Sequence, residues 1–383
     1  MKHLLIVTDL SFPGSAMASR LLAFANLFNK LDYDVHIIAG KTSDTSIELN
    51  HIYWKNNYSF EIVKSERSER LQSYIGNENL NNVVDNYLTN NGIDLVFTTS
   101  LNANFKKIYR TCRKHNKKII LEQCEWYDPS SFSFKKYDPR YIRFNNNFKN
   151  EYKKVDGIIA ISRLLEDYFK NKTKTIRIPS ITDVIAKDPN YELDTTKIRL
   201  VFTGNPSNSK ELLKPVLEAL DSNDTFKDRI TLDIYGTKES KIRAIINDDG
   251  LLNRLNNVVT IKGFVSQDSI EKILKESHFQ IFIRPDRRSS NAGFPTKLCE
   301  SLSVGTPCIT NNTGDISLVL KDGYNGYFSK GTKKEDVMEA FNRIVNLTNE
   351  EYNELRRNSY VSALEFFDYS LYTEKVSEFI ENL

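Results

Sequence analysis

The run Asn291-Ala-Gly-Phe-Pro-Thr-Lys-Leu-Cys-Glu300 carries a lysine and a glutamate three residues apart, behind a Gly-Phe-Pro turn. Pro295 predicts the start of a short helix, and Gly305 predicts its end before a buried strand. Backbone N–H groups at Ala292, Gly293 and Phe294 are expected to lie free ahead of that start, which makes a ready anion site. Lys297, one turn in, adds a cationic contact for a phosphate. Glu300 shares nearly the same helical face and can accept hydrogen bonds from a ribose diol. Phosphate donors, a lysine and a diol acceptor on one helix suit a nucleotide diphosphate.

Such a helix needs a scaffold, and the chain of 383 residues is long enough for two domains of ~150–200 residues. Apolar strands at Leu4–Thr8, Val35–Ala39, Asp94–Thr98, Lys118–Gln123 and Gly157–Ile161 alternate with helical patterns such as Met17–Leu31. Residues 41–90 show no readable pattern. A second alternating series starts at Ile198–Thr203 and continues through Ile230–Tyr235, Val258–Lys262, Phe279–Ile283 and Pro307–Thr310. The fold class is therefore α/β, with two Rossmann-like, doubly wound domains in tandem. Such sheets bind ligands at their carboxyl ends, here facing a central crevice. The expected boundaries are 1–185 and 186–366, with a helix at 367–383 returning to the first domain. A polar linker containing Pro189 is placed at roughly 182–196.

The formal net charge is +3, with 40% hydrophobic and 27% charged residues, which describes an ordinary globular protein. That charge and the absence of a recognised module argue against nucleic acid. Cys112, Cys124, Cys299 and Cys308 form no CxxC pair, so reduced thiols and no zinc site are expected. Neither a signal peptide nor a run of ~20 apolar residues is present, which points to a cytoplasmic location, with the inner membrane face as an option. Asp32-Tyr-Asp34 spells a metal-binding triplet but reads as turn chemistry before a strand. The cationic run Lys106, Lys107, Arg110, Arg113, Lys114, Lys117 and Lys118 contains no acid. A segment begun by Asp138 and Pro139 sets Tyr141, Phe144, Phe148 and Tyr152 on one helical face beside Arg140, Arg143, Lys149, Lys153 and Lys154. This pattern fits either an anionic membrane surface or one buried and one solvated face.

The chain resembles the retaining glycosyltransferases of the GT-B fold, the large family-4 group (glycosyl transferases group 1) that builds bacterial polysaccharides and glycolipids. The resemblance rests on Phe202-Thr-Gly-Asn-Pro-Ser-Asn-Ser-Lys210, Lys262-Gly-Phe-Val265, the Gly293–Glu300 run and Asp322-Gly-Tyr-Asn-Gly326. It implies that Lys210, shortly after Gly204, binds donor phosphates together with Lys297. Gly263-Phe264-Val265 would hold the nucleobase, and Glu300, the second glutamate of a Glu-x7-Glu pattern, the ribose. The first glutamate of that pattern falls on Ala292, which argues against assuming glucose or mannose. A histidine common beside the transferred sugar is also missing, and Glu125, just past a strand end, is the polar candidate in its place.

Function is then expected to be transfer of a sugar from a nucleotide diphosphate sugar to a saccharide or lipid-linked acceptor, in cell-surface polysaccharide synthesis. Lys210, Lys297 and Glu125 are the expected catalytic residues. Gly204, Arg284, Phe264, Val265, Gly293, Phe294 and Glu300 would complete the donor site, and Gly14, Ser15 and Arg20 the acceptor site. No metal and no cofactor are expected; UDP is favoured over GDP in the donor, and peripheral membrane contact is an option. The rivals are a sugar-nucleotide 2-epimerase of similar fold and a non-catalytic partner subunit.

Overall fold

A computed structural model describes residues 1–185, 187 and 194–383. Much of the expected linker, residues 186 and 188–193 with Pro189, lies outside the described residues. The chain divides into two compact units, one formed by Met1–Ile181 with Tyr369–Leu383 and the other by Thr182–Asp368.

The first unit is built on an eight-stranded sheet: β1 (Lys2–Ser11), β2 (Tyr33–Lys41), β3 (Ile52–Trp54), β4 (Ser59–Ile62), β5 (Leu95–Thr98), β6 (Lys118–Gln123), β7 (Gly157–Ala160) and β8 (Lys174–Arg177). Their spatial order is β3-β4-β2-β1-β5-β6-β7-β8. All neighbours are parallel except β3 and β4. Leu4, Leu5, Ile6 and Val7 are fully buried, as befits a central parallel strand covered on both faces. Each such side chain contributes roughly 1.5–3 kcal/mol when taken out of water.

The second unit carries a six-stranded sheet: β9 (Ile198–Thr203), β10 (Ile230–Tyr235), β11 (Val259–Gly263), β12 (Phe279–Phe282), β13 (Cys308–Asn311) and β14 (Gly326–Ser329). Its order is β11-β10-β9-β12-β13-β14, all parallel. The strand order turns back between β1 and β5 in the first sheet and between β9 and β12 in the second. The carboxyl ends of those pairs are where an open α/β sheet leaves room for a ligand.

The last helix, Thr373–Glu381, buries Val376 and Phe379 in the core of the first unit. Gly157 at the start of β7 makes that possible: a Cβ there would run into the Phe379 ring. Any larger residue would push the helix off the sheet.

Part of the first basic run is paired with acids. Lys106 pairs with Glu151 at 3.3 Å, Arg113 with Asp156 at 3.0 Å and Lys114 with Asp85 at 3.2 Å. Asp138 does cap the helix Pro139–Asn146, its side chain accepting from the Arg140 N–H at 2.9 Å. The aromatic face of this segment points inward, as the buried-face alternative expects. Phe144, Phe148 and Tyr152 are buried, and Trp126 stacks on Phe148 at 4.5 Å. A π-helical turn over Asn147–Glu151 lets the helix continue past this cluster. Asp32 adopts a left-handed turn (φ 61°) at the amino end of β2, while Asp34 lies 3.4 Å from His3.

Candidate functional site

In the second unit the site begins where β9 ends. Gly204 has φ 117° and accepts close neighbours on two sides. Its N–H donates to the Tyr235 carbonyl at 2.9 Å, and a Cβ would meet the Lys297 ammonium at 2.8 Å. Gly236 is equally constrained, because a Cβ there would lie 2.9 Å from the Gly204 backbone. Glycines thus let three chain segments converge on one lysine.

Lys297 sits one residue into the helix Thr296–Leu302. Its Nζ donates to Glu211 Oε1 at 2.7 Å, with both side chains largely removed from solvent. On the same helix Glu300 Oε1 accepts from Gln267 Nε2 at 2.9 Å. Burial raises the Glu300 carboxyl above the usual range, opposed by the nearby Lys297 charge. Gln267 opens the helix that follows Gly263, Phe264 and Val265, so the Gly263 loop and Glu300 are joined by one hydrogen bond. Phe264 is 69% exposed and Val265 38%, available to a flat ring. Arg284, past the end of β12, is buried, its Nη1 donating to Thr313 Oγ1 at 3.2 Å and its N–H to Asn311 Oδ1 at 2.7 Å. Lys210 is exposed, beside the tight turn in which its N–H donates to Ser207 Oγ at 3.0 Å.

The anion site ahead of this helix differs from expectation. Residues 288–292 form a helical turn of their own, and the Gly293 N–H is spent on the Ser289 carbonyl at 3.2 Å. Phe294 turns its ring onto Phe367 at 5.7 Å. The amides that lack a backbone acceptor are those of Phe294, Thr296 and Lys297 rather than Ala292 and Gly293. The reason is local: Arg288-Ser-Ser-Asn-Ala contains no breaker and closes a turn before Gly293 interrupts it.

The first unit holds a cleft of about 670 Å³ at the carboxyl ends of β1, β2 and β5. Asp9, Lys41, Asn102 and Tyr127 line it, with Gln72 and Arg140 from two covering helices. Thr8 Oγ1 and Thr99 Oγ1, 3.0 Å apart, tie β1 to the segment after β5. Burial pushes the Asp9 carboxyl up to about 6, against the opposing charges of Lys41 and Arg143. The folded value lies above that of a free aspartate, so the fold disfavours the ionised form. Protonated Asp9 therefore contributes stability at low pH that is lost as pH rises from about 4 through about 6. Asp9→Asn is expected to raise stability at pH 7.5 by ~1–3 kcal/mol, with no difference near pH 3.5, measured by urea unfolding at both pH values. Equal stabilities at pH 7.5 would show that the carboxylate is not strained.

The expected acceptor residues divide. Gly14 (φ 90°) and Ser15 lead into the helix Ala16–Asn29, and the Ser15 hydroxyl caps it by accepting from the Ala18 N–H at 3.2 Å. Arg20 does not reach outward. It is 1% exposed, with Nε on Glu122, Nη1 on the Pro179 carbonyl and Nη2 on the Ile178 carbonyl at 3.0 Å. Helix periodicity places Arg20 on the inner face, where Glu122 of β6 neutralises it. Glu125 is partly buried beyond β6, its carbonyl accepting from Gln123 Nε2. Burial lowers both the half-buried His36 and the buried His278 to about 4, and His278 Nδ1 accepts from the Arg199 N–H at 3.0 Å. Among the described residues no three His, Cys, Asp or Glu side chains are grouped to hold a metal ion, and no helix is long and apolar enough to cross a membrane.

Residues 184–361 match the family model for glycosyl transferases group 1. The second unit is a group 1 glycosyl transferase domain. No curated protein sequence matches the chain. Its structure is similar to that of sucrose-phosphate synthase from Thermosynechococcus elongatus, at 12% identity over all of this chain and 98% of that one, with a TM-score of 0.79. HepE from Anabaena, solved with UDP and glucose, matches at 14% identity over the whole of both chains, with a TM-score of 0.74. A glycosyltransferase from Rickettsia africae matches at 14% identity over all of this chain and 98% of that one, with a TM-score of 0.71. These likenesses establish the fold, a GT-B pair of parallel-sheet α/β units.

Sequence reasoning missed two residues of the glycosyl transferase domain and one of the unit before it. Glu211 follows Lys210 directly, but only the turn over Ser207–Glu211 brings its carboxylate to Lys297. Gln267 lay in a helix with no recognisable motif. Asp9 stood at the carboxyl end of the first strand, a position that could have flagged it.

Proposed function

We propose that this protein is a retaining glycosyltransferase that moves a sugar from a nucleotide diphosphate sugar to a saccharide or lipid-linked acceptor in cell-surface polysaccharide synthesis. One observation carries the reading: Lys297 is drawn over Gly204 at the switch point of the second sheet, with Glu300 on the same helix face. In this reading Lys297, Lys210 and Arg284 stabilise the charge that develops on the departing diphosphate, without a metal ion. Glu300 accepts from the ribose hydroxyls, and Phe264 and Val265 flank the base. The cleft at Asp9 takes the acceptor, with Gly14, Ser15 and Glu125 at the carboxyl edge of the same sheet. The UDP bound by HepE supports a UDP-sugar over a GDP-sugar.

The test is thermal unfolding with UDP, GDP, CDP and ADP, each in EDTA and in magnesium. A ligand at a hundred times its dissociation constant adds ~2.7 kcal/mol, a visible shift. UDP is expected to stabilise the protein equally in both buffers. A shift only with magnesium would overturn metal-free binding, and no shift with any nucleotide would favour a non-catalytic partner.

A further inference from the structure

The first unit presents an apolar surface that neither the nucleotide site nor the expected aromatic face accounts for. Phe134 is 64% exposed, Tyr137 73% and Ile142 54%, all on the loop and helix that run from Pro129 to Asn146. The helix Glu69–Ile75 lies alongside, with Leu71 45% and Ile75 49% exposed and no buried residue of its own. Arg143 fastens the two segments by donating to the Tyr74 and Ser73 carbonyls, and Arg140 stacks 4.7 Å from the Tyr74 ring.

Phe134 and Tyr137 lie together, lining one shallow surface depression with Pro129, Lys135 and Lys136, and exposed aromatic groups of this kind bury into a bilayer interface. Their neighbours are basic. Lys135 and Lys136 are exposed and make no ion pair among the described residues. Lys135 is held in the left-handed region at φ 51°, which lysine seldom adopts, at the tip between Phe134 and Tyr137. Asp138, the acid of this loop, is neutralised by Arg140 through two contacts at 2.9 and 2.8 Å. The loop therefore shows unopposed positive charge around insertable rings, complementary to anionic headgroups. The same segments also rim the Asp9 cleft: Phe132, Arg140, Glu69 and Gln72 line it, while Phe134, Ile142 and Leu71 face outside.

We infer that Phe134, Tyr137 and Ile142, with Lys135 and Lys136, dock the first unit on an anionic lipid bilayer, so that the Asp9 cleft receives an acceptor anchored in that bilayer. The choice of acceptor rests on the transferase reading; the docking does not.

The test is sedimentation of the full chain with vesicles of phosphatidylcholine alone or with ~30% phosphatidylglycerol. Wild type is expected to bind the anionic vesicles, and about 0.5 M salt to weaken that binding. Phe134→Ser with Tyr137→Ser should lose about tenfold or more, and Lys135→Glu with Lys136→Glu should lose the salt-sensitive part. Unfolding temperature and the nucleotide-induced shift of each variant should match wild type. The inference is overturned if wild type ignores anionic vesicles or if the serine variant pellets like wild type. It is overturned too if the patch proves to be a self-interface, with wild type dimeric in solution and the serine variant monomeric. Vesicle binding that depends on the patch in a protein that no nucleotide stabilises would keep the docking and sink the transferase reading.

Discussion

Lys297→Ala is expected to lower sugar transfer by ~10²–10³-fold, the cost of removing one preorganised charge from a developing anion. The loss should appear in kcat, because the diphosphate gains charge only as the sugar leaves. Glu211→Gln is expected to act in the opposite sense on binding. Glu211 holds the Lys297 ammonium at 2.7 Å, so an arriving diphosphate must compete with a carboxylate. Removing that negative charge should tighten nucleotide diphosphate binding several-fold by titration calorimetry, while a kinetic loss would report poorer placement of the lysine. Lys297→Ala retaining transfer within threefold of wild type would refute the assignment of the donor site.

Arg20→Ala is expected to cost about 3–5 kcal/mol, because it strands the Glu122 carboxylate in the core. Arg20 and Glu122 are both about 1% exposed, and the guanidinium also satisfies the carbonyls of Ile178 and Pro179. The double change Arg20→Met with Glu122→Leu should recover most of the loss, since it leaves no buried charge unpaired. Urea unfolding of the three variants measures both numbers. A single variant that unfolds with wild type would mean that the pair is not a support of the first unit.

Arg20 also shows where sequence reading ends. Its position after a small-residue loop suggested a ligand contact, and nothing local revealed that Glu122, 102 residues away, would claim it. Long apolar strands such as Leu4–Val7 announced themselves, because a parallel strand buried on both faces is a run of Leu, Ile and Val. The short strands β3, β4, β8 and β14 did not: Lys174-Thr-Ile-Arg reads as surface until β7 pairs with it. The helix Thr296–Leu302 was legible because Pro295 starts it and Gly305 follows its end, with its lysine and glutamate three apart. Glu211 and Gln267 were not, since tertiary contact alone gives them their partners. The aromatic spacing 141, 144, 148 and 152 signalled one face but not its direction.

Phe379 over Gly157 has a consequence for the order in which the protein is made. Residues Thr182–Asp368, 187 in number, are translated between the sheet of the first unit and the segment that closes it. At ~5–20 residues per second the ribosome needs about 10–40 s for that stretch. Throughout it the surface at Gly157 stays bare, so the unit begun first is finished last. The nascent first sheet is exposed to chaperones for that interval, while the transferase domain, contiguous in the chain, can close as soon as it has emerged.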